Sequence, residues 1–445
     1  MRLKAFARQR VVILGFGREG QSAWQALSKR SDAAELFIWC EAGELPAGVR
    51  GRIAPFDEGL ASFDIVLRSP GIRVDHPALL DFSQRAGRVV SPSSIFLSER
   101  PDLPVVGITG SKGKSTTASM LACLLKANGQ DVVLAGNIGV PLLDHLDTTA
   151  DRVVAELSSY QLADLEGSLE LGLITRLFPE HLDWHCSVEH YYNCKLRIAE
   201  LVQGRGLLVN ANDPILEQAT REIGGRILGN RAPGFHRRED SLWRDQTRLA
   251  NLLDLQLIGH HNLDNAALAL AACEMLGGQV EPAIRALSTF YPLAHRLESI
   301  GQRWINDSIA TSPHATRAAL ECLRDRPVVL IVGGQPRPAD WAPVIAWCLQ
   351  HRLAGVITLP DNGPQVADSL VSGGAVDSSQ VMDARDVDEA VCLAAQRFRA
   401  DEVILLSPGA PSFPRFKSFE ERGERFRAAV TALNDTRSQS DRSTA

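Results

Sequence analysis

Two glycine-rich stretches of this 445-residue chain have the residue types and spacing to hold phosphate groups. The stronger is Gly107-Ile108-Thr109-Gly110-Ser111-Lys112-Gly113-Lys114-Ser115-Thr116-Thr117, set between an apolar run and a helix-forming run. Backbone amides of Gly110, Ser111, Lys112 and Gly113 can cradle the β- and γ-phosphates of a nucleotide. Lys114 can neutralise a transferring phosphoryl group, and the Ser115 hydroxyl, with Thr116 beside it, can ligate Mg²⁺. The loop departs from the strict G-x-x-x-x-G-K-S/T pattern, because Ile108 stands at the first glycine position. The second stretch, Val11-Val12-Ile13-Leu14-Gly15-Phe16-Gly17-Arg18-Glu19-Gly20, follows the strand–G-x-G-x-x-G–helix pattern. Its glycines Gly15, Gly17 and Gly20 let amides and a helix N-terminus approach a phosphate, and Glu41 sits where a ribose-binding acid belongs. Alone, this pattern fits a nucleotide diphosphate, a nicotinamide dinucleotide or a purely structural tight turn.

Both loops need strands and helices to aim them, and the chain supplies a rhythm of short apolar runs and helical stretches. Val11–Gly15, Leu36–Trp39 and Ile65–Arg68 are expected as strands of an open parallel sheet, ending near Leu97. Val105–Thr109 reads as a buried strand leading through the phosphate loop into a helix from Ser115 to Asn128. Strands follow at Val132–Ala135, Val153–Leu157 and Gly206–Val209, then an Ala/Leu-rich helix from Asn262 to Leu276. A third unit is expected from Tyr291-Pro292, with strands at Arg303–Asn306, Val328–Val332, Gly355–Leu359 and Val403–Ser407. The expectation is therefore an α/β protein of three domains: a Rossmann-like one over 1–97, a central phosphate-loop one over 98–290 and a doubly wound one over 291–445. The polar end, Asp435–Ala445, is expected to be frayed.

Composition narrows the function. A net charge of -6 with scattered Lys/Arg and Asp/Glu excludes an obvious nucleic-acid or anionic-membrane surface. The eight cysteines show no C-x-x-C spacing and are expected to be buried or incidental thiols in a reducing compartment. No stretch reaches the roughly 20 apolar residues of a membrane span, and the first residues lack the apolar run of a signal peptide, so a cytoplasmic protein is expected, acting as a monomer.

The phosphate loop resembles the T-G-x-x-G-K-S/T loop of the Mur ligases, and further segments match the glutamate-adding branch of that family in the same order. These are Ser69-Pro70-Gly71, Gly136-Asn137-Ile138-Gly139, Glu156-Leu157-Ser158-Ser159-Tyr160-Gln161-Leu162 and Glu180-His181-Leu182-Asp183. They continue with Lys195-Leu196-Arg197-Ile198, His261-Asn262-x-x-Asn265-Ala266, His295-Arg296 and Trp304-Ile305-Asn306-Asp307-Ser308. Leu406-Ser407-Pro408, Ser412 and Phe416-Lys417-Ser418-Phe419-Glu420-Glu421-Arg422-Gly423 close the series, so the resemblance covers nearly the whole chain.

The resemblance implies the three-domain Mur architecture, ATP as co-substrate and two Mg²⁺ ions held by Ser115, Glu156 and His181. It implies that Lys195 is carbamylated, that Asn265 and Asp307 face adenine and ribose, and that Arg296 reaches the ATP phosphates. Gly15, Gly17, Arg18, Gly20, Glu41, Ser69, Pro70 and Gly71 would hold the UDP moiety. Asn137, Ser158, Ser159 and Gln161 would lie beside the muramoyl-alanine part, and Thr311, Arg337, Ser412 and Phe419 would bind glutamate. The implied reaction passes the γ-phosphoryl group to the carboxylate of UDP-N-acetylmuramoyl-L-alanine, and the amine of glutamate then attacks the acyl phosphate. Lys114, Lys195, His181 and Arg296 are the expected catalytic residues. Folylpolyglutamate synthase would leave the amino-terminal G-x-G-x-x-G domain unexplained, and an NAD(P)-dependent oxidoreductase would ignore the phosphate loop.

The glutamate end departs from the D-glutamate pattern. The Gly-Gly-Asp-Gly-Lys-x-Ala-Asp segment reads Gly333-Gly334-Gln335-Pro336-Arg337-Pro338-Ala339-Asp340 here, and a second family lysine is replaced by Ile309. Arg337 keeps a charge on a longer planar fork between two restricting prolines. L-glutamate is favoured over D-glutamate, which would leave inversion of the product to a separate epimerase.

Overall fold

A computed structural model describes residues 1–443 apart from 47, 86, 256–257, 292–293 and 302, with side chains as far as 434. The described residues form two compact units, Met1–Leu255 with His261–Phe290, and Gln256–His260 with Tyr291–Ala445. Pro292, where the sequence suggested a boundary, lies outside the described residues.

The first unit contains two separate parallel sheets. The amino-terminal one has five strands in the order Gly51–Ile53, Glu35–Cys40, Arg10–Leu14, Ile65–Arg68, Arg88–Val90. Val11 to Leu14 are fully buried, as expected of a central parallel strand covered on both faces. The second sheet has six strands in the order Arg226–Gly229, Leu207–Asn210, Leu171–Ile174, Val105–Thr109, Arg152–Glu156, Val132–Gly136. One hydrophobic cluster runs through both sheets, joining Val11, Ile13 and Leu67 to Val105, Val153 and Ile174. A three-stranded antiparallel sheet, Phe235–Arg238, Ser241–Arg244 and Thr247–Asn251, follows the second sheet and carries a register shift at Leu242/Trp243.

The second unit has a six-stranded sheet in the order Glu298–Ile300, Trp304–Asn306, Val403–Leu406, Val328–Val332, Gly355–Thr358, Val381–Asp383, parallel except for its first pair. Alternation of side chains along Val328–Val332 divides its residues between two cores: Val328, Leu330 and Val332 pack on one face, Val329 and Ile331 on the other. The last helix runs Phe419–Ser443 and so continues past Asp435, where polar composition had suggested a frayed end. Residues 444–445 lie outside the described residues. No helix among the described residues is long and apolar enough to cross a membrane.

Candidate active site

Many of the expected site residues, among them Gly15, Ser69, Gly110 and Asn137, follow the carboxyl ends of strands, the place where open α/β sheets bind ligands. The strand Val105–Thr109 delivers the phosphate loop, and the helix Lys114–Ala127 begins directly after it. Ile108 is fully buried inside that strand, which explains why a glycine is not needed there. Gly110 and Gly113 are needed. Their φ angles are +143° and +90°, and an added Cβ would lie 2.1 Å from Thr175 Oγ1 and 2.5 Å from Asn265 Oδ1. Asn265, expected at the adenine, therefore stands against the loop, held by a bond from its Nδ2 to Asn262 Oδ1 at 3.0 Å. Lys114 Nζ donates to the carbonyls of Gly110 and Ser111 at 2.9 and 3.0 Å.

The Ser111 hydroxyl ties the loop to its surroundings, donating to Phe178 O at 2.8 Å and accepting from Phe178 N and Tyr191 Oη at 3.0 and 2.9 Å. Tyr191 had not been singled out from the sequence. Lys112, more exposed, pairs with Glu180 at 3.0 Å. Lys195 lies beneath the loop, 2% exposed, with Nζ 2.8 Å from Gly110 O. Burial, reinforced by the nearby Lys114 cation, holds its amine well below the usual lysine range. His181 stands in a left-handed conformation at the head of Leu182–His185; partial desolvation, with nearby Lys114, lowers its imidazole below the usual range, against the pull of Glu180.

Glu156 ends the strand Arg152–Glu156 and is 1% exposed. Its Oε1 accepts from Asn137 Nδ2 at 2.7 Å, while Oε2 is buried with no partner. An orphaned, buried carboxylate oxygen at the end of the strand next to the one that delivers the phosphate loop suits a hard divalent cation. The donor set therefore fits the implied Mg²⁺.

The next residues along the chain form a capping box in which Ser158 and Gln161 satisfy each other across Ser159–Leu162. Gln161 Nε2 reaches Glu19 Oε1 at 2.9 Å, joining this segment to the amino-terminal glycine loop. Glu19 is pushed up to about 7, mainly by burial. Arg18, expected at UDP, donates to Gly139 O and Asn137 O at 3.2 and 3.4 Å. Gly15 has φ +81°, and a Cβ on Gly20 would lie 2.2 Å from Gly15 O. Gly17, which caps the helix Arg18–Arg30, is open. Ser69 Oγ donates to Gly15 O at 3.1 Å, so the two strand ends flanking the reversal of strand order meet there. Glu41 is about half exposed, with Oε1 3.7 Å from His76 Nε2.

Sequence reasoning passed over Arg68, which is wholly buried. It makes a two-pronged pair with Asp164 at 2.7 and 2.6 Å and donates to Ser69 O, Pro70 O and Tyr160 O at 3.3, 3.1 and 3.0 Å. Trp184 Nε1 adds a bond to Gly71 O at 2.9 Å. The Ser69-Pro70-Gly71 turn is thereby locked to the segment that carries Ser158 to Gln161.

In the second unit, His295 is buried and in a left-handed conformation. A Cβ at Gly423 would lie 2.1 Å from its ring, so that glycine makes room for it. Arg296, next in sequence, has a buried Nε without a partner. The Asp307 carboxylate accepts from Leu297 N and Ser407 Oγ at 3.2 and 2.9 Å. Thr311 and Ser412 follow the strands Trp304–Asn306 and Val403–Leu406, and Phe419 opens the last helix. Their loops are bridged by Arg422, 1% exposed, which donates to Ser308 Oγ, Ser308 O and Ala410 O at 3.0, 2.8 and 3.1 Å. Arg337 lies in the loop after the strand Val328–Val332. It is exposed on the wall of a cavity of about 390 Å³ with Pro336, Trp341, Asn362 and Val366, and Thr311, Ser412 and Phe419 are not on that wall.

A glycine-rich loop with a lysine at its end, a buried carboxylate with a bare oxygen and a second α/β unit are parts that a nucleotide-driven phosphoryl transfer would use. Comparison with known proteins makes this specific. Residues 108–273 match the Mur ligase middle domain and residues 295–409 the glutamate ligase domain of Mur ligases. A UDP-N-acetylmuramoyl-L-alanine–L-glutamate ligase of Xanthomonas oryzae pv. oryzae is 34% identical, the alignment covering 96% of each chain. One from Micromonospora sp. is 37% identical over 97% of this chain and 98% of its own. Among solved structures, MurF from Acinetobacter baumannii superposes with a TM-score of 0.61 at 18% identity, covering 94% of this chain and 90% of that one. MurC from Thermotoga maritima gives 0.57 at 18%, over 96% and 100%. The chain belongs to the Mur ligase family. It is an ATP-dependent amide ligase, and the oxidoreductase reading of its glycine loop falls away.

Proposed function

We propose that this ligase joins L-glutamate to UDP-N-acetylmuramoyl-L-alanine in peptidoglycan synthesis. What carries the reading is the near-full-length identity of 34% to 37% to relatives bearing that name. The replacement of the family lysines by Arg337 and Ile309 points the same way. Residues 1–97 take the UDP moiety, 98–290 take ATP, and 291–445 take the amino acid.

The amides of Gly110 to Gly113 and the Lys114 ammonium hold the γ-phosphoryl group while the alanyl carboxylate oxygen attacks phosphorus and the bond to ADP breaks. The amine of glutamate then attacks the acyl-phosphate carbon, loses a proton and expels phosphate, leaving an amide. Ser115, Glu156 and His181 would hold two Mg²⁺, which when bound supply charge neutralisation between phosphates and carboxylate. Lys195 is the natural carbamate. Burial and Lys114 lower its amine well below the usual lysine range, which favours the deprotonated form whose lone pair would attack CO₂, form the N–C bond and release a proton, leaving an anion beside Lys114. Arg296 completes the clamp on the phosphates, and Asp307 the ribose contact. Thr311, Ser412 and Phe419 receive glutamate, with Arg337 reaching its side-chain carboxylate. An L-glutamyl product requires a later epimerase if D-glutamate is to appear in the wall.

The test is phosphate release by purified enzyme with ATP, UDP-N-acetylmuramoyl-L-alanine and each glutamate enantiomer in turn. Clear turnover with L-glutamate is expected. A preference for D-glutamate would refute the choice of enantiomer, and dependence on neither would refute the reading altogether.

A further inference from the structure

The segment from Leu182 to Leu196 brings three soft donors together. His185 ends the helix Leu182–His185, while His190 and Cys194 lie one turn apart on Val188–Leu196. One ligand atom from each falls within 4.8 Å of the other two.

Hydrogen bonds to the opposite ring atoms decide which nitrogens are available. His190 Nδ1 lies 3.0 Å from the carbonyl oxygen of His185. A carbonyl only accepts, so Nδ1 carries the proton and Nε2 presents its lone pair, 3.4 Å from Cys194 Sγ. His185 uses Nε2 for Ser159 Oγ at 2.9 Å, and its Nδ1 is buried without any partner. The residue is 1% exposed, and burial pushes it down to about 4, so it stays neutral. A ring whose far N–H is held by a carbonyl, leaving the near nitrogen bare, is how imidazoles are oriented toward metals.

We propose that His185 Nδ1, His190 Nε2 and Cys194 Sγ form a binding site for a soft divalent metal of the zinc class, with a fourth position left for water. Thiolate and imidazole donors select such an ion over Mg²⁺, which distinguishes the site from the harder set of Ser115, Glu156 and His181. Tetrahedral bonds of about 2.0–2.3 Å place ligand atoms roughly 3.5 Å apart, so small side-chain rotations close the cluster. Binding replaces the Cys194 thiol proton, which leaves to solvent. Cys194 is 4% exposed, and the partly exposed His190 provides the way in. The site does not depend on which substrates the enzyme joins. Because His185 also holds Ser159, an ion here would draw on the segment that carries Ser158 and Gln161.

Titration of the full-length protein with Co²⁺, a coloured stand-in for Zn²⁺, tests this. Thiolate-bound tetrahedral cobalt absorbs intensely in the near ultraviolet and visible, whereas cobalt among oxygen ligands is nearly colourless. Expected are bands that saturate at one equivalent, vanish on adding Zn²⁺ and are absent in Cys194→Ser. Outer-shell changes at metal sites cost 10–100-fold in affinity, so His190→Gln, which removes a direct ligand, should weaken binding at least about 100-fold. Absence of the bands in the unaltered protein, or their persistence in Cys194→Ser, overturns the proposal. Should Cys194→Ser not fold, unchanged cobalt affinity in His190→Gln overturns it equally.

Discussion

Replacing Arg422 by methionine tests how the amino-acid end of the enzyme is held together. The guanidinium is 1% exposed, and burial pulls it down to about 10, so it remains charged at neutral pH. It donates three hydrogen bonds, two to Ser308 and one to Ala410. A bond from a charged donor contributes about 1.5–3 kcal/mol, a gross loss of roughly 4–9 kcal/mol for three. Methionine also removes the cost of keeping a cation out of water, an offset of several kcal/mol. A net loss of about 3 kcal/mol follows, or roughly 6–12 °C in the melting temperature of a unit of this size. The two bridged loops lead to Thr311 and Ser412, so KM for glutamate should rise while KM for ATP stays near its original value. Calorimetric melting and steady-state phosphate release measure both. Arg422→Lys should recover little, since a point charge cannot span the two carbonyls as a planar fork does. A melting shift below about 2 °C together with an unchanged KM for glutamate would refute the argument.

Lys114→Ala should keep the fold and lose at least about 10²–10³-fold in ligation rate, the usual effect of removing a charge aimed at a reacting group; activity within a few-fold of the original would sink the phosphate-loop assignment. Calorimetry should show the amino-terminal glycine loop binding a uridine nucleotide and not NAD⁺, and the reverse result would overturn its role. Lys195→Ala should be nearly inactive and partly rescued by short carboxylic acids such as formate or acetate. Full activity of that variant would make Lys195 a structural lysine only.

Continuous apolar runs bounded by glycine, proline or charge were legible as strands. Ile65–Arg68, Val105–Thr109 and Val328–Val332 agree with the structure residue for residue, because strands buried on both faces admit little but apolar side chains. The antiparallel sheet over Phe235–Asn251 was not seen. Its strands are short and half exposed, with Arg237, Arg238 and Arg244 breaking the pattern. Loop residues Gly110 and Gly113 were found through their spacing, and the structure adds the reason in the contacts a Cβ would make. Arg68 and Tyr191 carry no sequence signal of their own, and Arg422, though inside a matching segment, was given no role, since buried cations and phenols are recognised only by the partners that satisfy them. His185, His190 and Cys194 escaped for a related cause: they straddle two helices, and no paired-cysteine spacing marks them. Arg337 was grouped with Thr311 and Ser412 by the family resemblance alone, with no local signal of its own beyond its charge.

Lys195 and Arg422 show how one physical problem, a cation out of water, has two solutions with different consequences. Arginine cannot give up its proton in a protein, so Arg422 must be satisfied by acceptors, and three oxygens surround it. It can therefore serve only to position loops. Lysine can give up its proton, and Lys195 has one carbonyl contact, the Tyr191 ring 4.8 Å from its Nζ and another lysine nearby. Its ammonium is the unfavourable form. Deprotonated, the side chain would be a nucleophile toward CO₂, and the proposed carbamate would put an anion where Lys114 favours one. The same burial that would make Lys195 a poor surface lysine thus supports the proposal that it is carbamylated, an argument from its placement under Gly110 more than from its residue type.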